Sequence, residues 1–301
     1  MPILSRQIIQ NIAEKTAVEA GFSSLPICPI KIAERHDIVV QAKPDTAKGV
    51  SGMLVRTGEH FGILYATHIP SEGFQRFSIG HELGHYFLEG HPDAVLKDGI
   101  HQSQAGFVAK DRYEREADTF AASLLMPTDL FKAEMRKIDD GLDAIEALAE
   151  IAVTSMTATA FRYAELTREA IAVMISEGSQ ILSCSYSEKI QKLAGKGSMP
   201  WLFGKPVPTA TLTERFNSKP ARIAAGDREE TMIDMVDWFG LGAGVRGTEE
   251  VLGLGRYGRT LTVLRCNIKT DDDFDVDDQA DDDENLADSW TPRFKSWAVN
   301  P

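Results

Sequence analysis

His81, Glu82 and His85 stand in the run His81-Glu82-Leu83-Gly84-His85. On a helix of ~3.6 residues per turn, positions 81 and 85 differ by about 40° of rotation and ~6 Å of rise, so both imidazoles leave one face and can share a metal ion. Zinc chemistry needs neutral nitrogen ligands with a position left open for water. Glu82, at the edge of the same face, is the carboxylate placed to take that water's proton. Ile79, Leu83, Tyr86 and Phe87 occupy the opposite face, the pattern of a helix that packs on one side and lines a cleft on the other. The expected chemistry is zinc-dependent hydrolysis, with His81 and His85 as metal ligands and Glu82 as catalytic base.

A catalytic zinc usually takes three protein ligands. Asp111 reads as the N-cap of a helix running to Met126 and stopped by Pro127. On that helix Glu114 shares a face with Ala117, Asp118, Ala121 and Leu125. Small residues there let it lie close against the first helix and bring Glu114 to the metal. Asp111 and Glu114 also have capping-box spacing, which gives Glu114 a competing local role. Two alternative third ligands remain. His91 lies ten residues after His81, but Leu88 holds the place where a glycine would turn the chain; Glu116 points with Phe120 and Leu124, away from the alanine face. Asp118, one turn beyond Glu114, is placed to accept an N–H from a ligating imidazole in the second shell of the metal. Tyr113, His91 and His101 are candidates for stabilising an oxyanion.

These residues need a scaffold. A helix is expected over residues 6–20, a short one over 30–35, and strands over 38–42, 53–56 and 61–65, the last two joined as a hairpin. The metal helix is expected to start near Ser71 and stop at Gly90. Gly80 and Gly84 each cost it up to ~1 kcal/mol, which suggests close approach of a sheet or a substrate strand. Residues 91–110 read as a loop. Helices over 142–150 and 155–166, with a short turn between them, have a spacing loosely like a helix-turn-helix, yet the second offers Arg162 as its one base, so DNA binding is not expected. Beyond lie strands over 170–175 and 180–185, a helix over 187–193 and a hairpin over 251–266. The fold class expected is α+β: a metallopeptidase domain over 1–139, a helix-turn-helix-like segment over 140–168, a mixed α/β domain over 169–268 and an acidic tail over 269–301.

Of the net charge of −13 over 301 residues, −9 falls between Thr270 and Pro301, so the body is nearly balanced and nothing predicts strong phosphate binding. Asp273, Asp275, Asp277 and Glu284 have the spacing of a calcium loop, but Asp278 replaces the glycine the loop requires, and a self-repelling tail is the expected reading. Cys28, Cys184 and Cys266 are odd in number and far apart, as buried thiols in a reducing compartment would be. No stretch approaches eighteen uninterrupted apolar residues. A cytoplasmic protein without a membrane partner is expected.

The segment from Phe77 to His85, followed by Glu114-Arg115-Glu116-Ala117-Asp118-Thr119-Phe120-Ala121-Ala122-Ser123-Leu124-Leu125-Met126-Pro127, resembles the ImmA/IrrE family of metallopeptidases over roughly residues 6–168. The resemblance implies a compact gluzincin-like (zincin-like) fold, zinc held by His81, His85 and Glu114, and a protein substrate, a helix-turn-helix repressor cut in a bacterial stress or mobile-element response. A regulator that keeps the zinc fold and acts by binding DNA or a partner is the alternative. Glu82 favours the enzyme, because a purely structural metal needs no base.

Overall fold

The computed structural model describes residues 4–43, 49–104, 111–192, 200–240 and 245–266. The acidic tail and its calcium-like spacing lie outside these described residues. The chain divides into two units: residues up to Ile138 with Glu146–Thr159, and Asp139–Ile145 with the described residues from Ala160 onward.

The first unit begins with α1 (Arg6–Glu19), whose N-cap Ser5 accepts from the Ile8 amide and whose Ile9, Ala13 and Ala17 are buried at helical spacing. After α2 (Pro29–Arg35) come β1 (Val39–Lys43), β2 (Val50–Thr57) and β3 (His60–Ala66). The hairpin expected between β2 and β3 forms, with Thr57 opposite His60, while β1 lies parallel along the other side of β3. α3 (Glu72–Phe87) carries the run His81-Glu82-Leu83-Gly84-His85. Ser71 caps it by accepting from the Phe74 amide. It ends three residues short of Gly90, which adopts φ +79, a left-handed conformation that favours glycine and reverses the chain into α4 (His91–Val95).

Residues 91–110 are therefore not a plain loop. α4 is followed by β4 (Ile100–Gln104), which pairs antiparallel with β2 and closes the sheet in the order β1-β3-β2-β4. Ile100-His101-Gln102-Ser103 hid the strand because an edge strand is held by its backbone and carries little apolar alternation. α5 (Arg112–Leu125) and α6 (Thr128–Met135) complete the unit, and Ile9, Leu54, Ile63, Leu83 and Phe120 meet in its core.

Gly80 and Gly84 face α5 rather than the sheet. A Cβ on Gly84 would lie 3.0 Å from Ala117 Cα and 3.2 Å from its carbonyl oxygen, while one on Gly80 would meet Ala121 Cβ at 3.4 Å. The glycines and alanines let the two backbones approach, as the alanine face of α5 suggested.

α7 (Leu142–Ala152) and α8 (Met156–Leu166), the stretch with spacing loosely like a helix-turn-helix, are each shared between the two units. No residue of α8 is exposed. Arg162 is 1% exposed and pairs with Glu165 at 2.9 Å. Met156, Thr157, Ala158, Glu165 and Leu166 are half-buried and the rest of α8 is buried, so its one arginine is not offered to solvent.

The second unit holds β5 (Ile171–Glu177), β6 (Gln180–Tyr186), α9 (Glu188–Lys192), α10 (Leu212–Asn217), α11 (Pro220–Ala225), β7 (Arg228–Asp234), α12 (Val236–Phe239), β8 (Arg246–Gly253) and β9 (Thr260–Cys266). Its sheet is antiparallel throughout, in the order β6-β5-β9-β8-β7. β5 and β9 are buried along nearly their whole length, whereas β7 is a half-exposed edge whose Arg228-Glu229-Glu230 start concealed it in the sequence. β8 begins five residues before the expected Val251. Its Glu249 and Glu250 are buried and point to opposite faces of the sheet: Glu249 accepts from the Leu212 and Thr213 amides at the start of α10, and Glu250 from the Leu142 amide at the start of α7. Carboxylates so placed satisfy orphan helix donors.

Candidate metal centre

α3 brings His81 and His85 together as their spacing required, with their Nε2 atoms 3.1 Å apart. Opposite them, the first turn of α5 supplies Glu114. Asp111 caps α5 by accepting from the Tyr113 amide at 3.0 Å. The Glu114 carboxylate is turned inward: its oxygens lie 3.3 Å from His81 Nε2 and 3.3 Å from His85 Nε2. A fourth donor comes from β4, where His101 Nε2 lies 3.0 Å from Glu114 Oε1. One ligand atom from each of His81, His85, His101 and Glu114 falls within 4.8 Å of all the others, a spread that one metal ion can bridge.

The sequence marks His101 only as an oxyanion candidate. It does not stand out there as a possible ligand because it belongs to the strand that the sequence conceals. His91 and Glu116, the alternative third ligands, are not in this group of four; they pair with each other, His91 Nε2 lying 2.8 Å from Glu116 Oε2. Asp118 takes the position its spacing suggested and accepts from His81 Nδ1 at 2.8 Å. Tyr113 packs edge-on against the His91 ring, with centroids 4.9 Å apart.

Glu82 is 0% exposed, and among the described residues neither of its oxygens has a hydrogen-bond partner of normal geometry, the Ser103 hydroxyl being the nearby donor that favours its charged form. The space it fills is made by β2. A Cβ on Gly52 would lie 2.6 Å from Glu82 Oε1, so any larger residue there must displace the carboxylate. Sequence reasoning missed Gly52, although a glycine opening the run Gly52-Met53-Leu54 is the kind of signal that marks a close approach.

The electrostatics follow from burial and neighbours. Burial raises the pKa of Glu82, with the nearby His81 charge opposing it. Burial also lowers His85 to about 3, against the pull of Glu114. For His81, burial is outweighed by Asp118 and Glu114, which hold its pKa well above the usual histidine value. Burial disfavours charge on Glu114 as well, but His101, His81 and His85 together hold it far below the ordinary carboxylate range. The site thus keeps an ionised carboxylate among imidazoles, the donor set that suits a divalent cation.

Residues 33–176 match the family described as the IrrE N-terminal-like domain, peptidase family M78. Among solved structures, a Mycobacterium tuberculosis transcriptional regulator is similar in fold at a TM-score of 0.53 and 17% identity, covering 86% of this chain and 76% of that one. No curated protein matches significantly. Among the described residues, no single helix is long and apolar enough to cross a membrane.

Proposed function

Since the chain belongs to the ImmA/IrrE family through residues 33–176, a family of metallopeptidase-like regulators, we propose that it is a zinc-dependent endopeptidase that cuts a helix-turn-helix transcriptional repressor. The observation that carries this reading is Glu82: a fully buried carboxylate, without a hydrogen bond of normal geometry among the described residues, beside a group of donors that could hold a metal ion. An unpaired buried carboxylate destabilises a fold, and a structural metal would give no reason to keep one.

In this reading His81, His85 and Glu114 would hold the zinc. The donor set of imidazole nitrogens and one carboxylate fits that metal. Bound zinc would supply Lewis acidity and an acidified water. Glu82 accepts a proton from the attacking water and delivers it to the leaving amine; its raised pKa suits both transfers. Asp118 fixes the His81 ring with its lone pair on Nε2. His101, on the strand beside the site, is the group placed to donate to the oxygen of the scissile carbonyl.

A protein substrate is supported by the sheet edge. β4 pairs with β2 on one side and, among the described residues, with no strand on the other, so an extended peptide can add there next to His101. The repressor as substrate rests on the family alone. The test is to mix the zinc-loaded protein, and separately Glu82→Gln, with helix-turn-helix repressors from its own genome neighbourhood and look by mass spectrometry for one discrete cut. If no repressor is cut under any inducing condition, while wild type and Glu82→Gln relieve repression equally in cells, the protein acts as a non-proteolytic regulator.

A further inference from the structure

We infer that His91 and Glu116 are positioning residues, a buried two-step relay that fixes the tautomer and ring orientation of His85; the inference rests on the reading of His85 as a metal ligand. His85 turns Nε2 toward His81 and Glu114, so that nitrogen must carry the lone pair offered to a cation, and the proton must sit on Nδ1. The Nδ1 atom of His91 lies 3.3 Å away and accepts that proton's hydrogen bond. An imidazole that accepts at Nδ1 carries its own proton on Nε2, and there Glu116 Oε2 stands at 2.8 Å. A single arrangement of protons satisfies every link. His85 and His91 are both 0% exposed, so water does not substitute for either partner.

The two ligands of α3 are therefore held differently. His81 donates straight to a carboxylate, Asp118, whereas His85 donates to a neutral ring that in turn donates to a carboxylate. The chain invests in this second path. Gly90 reverses the backbone after α3, and the His91 amide bonds back to the Leu88 carbonyl at 3.1 Å, which sets the His91 ring behind His85. Glu116 lies two residues beyond Glu114 on α5, so one helix presents its ligand carboxylate and its supporting carboxylate on different sides of the same histidine pair.

The test uses the full chain, with zinc affinity measured by competition with a chromophoric chelator and the His85 ring followed by 15N NMR. His91→Leu and Glu116→Leu are each expected to weaken zinc binding by about 10–100-fold, the usual effect of removing a supporting partner. The double variant should be little worse than either single one, because the links act in series. His91→Gln should recover affinity to within a few-fold, since its amide oxygen can accept from His85 and its amide N–H can donate to Glu116. The zinc-bound wild type and His91→Gln should both show a protected proton on His85 Nδ1, absent in His91→Leu. A folded His91→Leu that binds zinc as tightly as wild type overturns the relay, as does a Gln variant no better than Leu, or metal bound through His85 Nδ1. Wild type that binds no zinc removes the metal reading and the relay together. Relay signatures without any repressor cleavage would uphold the relay and remove only the peptidase reading.

Discussion

At the scale of single residues, the folded state keeps Glu82 in a place where its charged form is poorly solvated. Burial raises its pKa above the unfolded value, so in the metal-free protein the ionised side chain costs stability above the folded pKa, and that cost fades as the pH falls through it. Glu82→Gln removes the charge. The metal-free variant should melt no lower than wild type at pH 7, by a margin on the order of 1 kcal/mol that closes toward pH 4, as thermal scans at several pH values would show. It should bind one zinc as before and lose about 10²–10⁴-fold in cleavage rate. Gly52→Ala probes the same carboxylate from the strand side: with a Cβ 2.6 Å from Glu82 Oε1 the base must shift, and cleavage should fall at least about tenfold with zinc stoichiometry unchanged. An alanine variant of wild-type activity would show that Glu82 is not held where catalysis needs it. At this scale the sequence was most legible where chemistry imposes short-range spacing. His81, Glu82 and His85 lie within one and a half turns of a helix, and Glu114 follows a capping signal. The place of His101 in the donor group and that of Gly52 against Glu82 were not legible, because each joins the site through strand pairing, which leaves no mark in local spacing.

Among elements, the decisive contact is between α3 and α5, since it sets the distance from the histidines to Glu114. Gly80 and Gly84 look equivalent in sequence, yet they face different surroundings. A methyl group on Gly80 meets the Ala121 side chain at an ordinary separation, so the gain in helix propensity should dominate, and Gly80→Ala should leave stability unchanged or raise it by up to ~1 kcal/mol. At Gly84 the methyl group presses on the Ala117 backbone at 3.0 Å, which cannot rotate away. Gly84→Ala should destabilise by roughly 1–3 kcal/mol and weaken zinc binding as Glu114 is pushed outward. Denaturant melts that give the two alanine variants equal stability would mean that the helix pair relaxes freely. The elements legible in advance were those whose own apolar period matches their burial: α1, α3, α5 and the β2-β3 and β5-β6 hairpins. β4 and β7 were missed for one reason, that edge strands are polar and take their form from the neighbour they pair with.

For the whole molecule, the division into units matters most where the chain crosses it. Glu146–Thr159 belongs with the unit that carries the candidate metal site, although Asp139–Ile145 just before it and the residues from Ala160 just after it belong with the other. The returning segment supports the start of α3: Arg76 donates to the Ala152 carbonyl at 3.4 Å as well as to the Ile27 carbonyl, and a Cβ on Gly73 would lie 2.6 Å from the Thr154 carbonyl carbon, so the backbones are in contact there. Met126 at the end of α5 receives the Thr154 hydroxyl. Both helices that carry the candidate metal ligands therefore lean on residues 146–159. A fragment ending at Ile138, the natural place to cut from the contact boundary, should be less stable than the intact chain and should bind zinc at least about tenfold more weakly, because the first turn of α3 loses its support. A fragment ending at residue 168 keeps that support and should bind zinc as the intact chain does. It also carries Phe161, Tyr163 and Ala164, which are buried with the second unit, and removing that unit leaves them without partners, so this fragment should self-associate in a concentration-dependent way. Circular dichroism, chelator competition and sedimentation of the two fragments distinguish these outcomes. If the shorter fragment binds zinc as tightly as the longer one, residues 146–159 do not support the metal helix, and the two units are separable at Ile138.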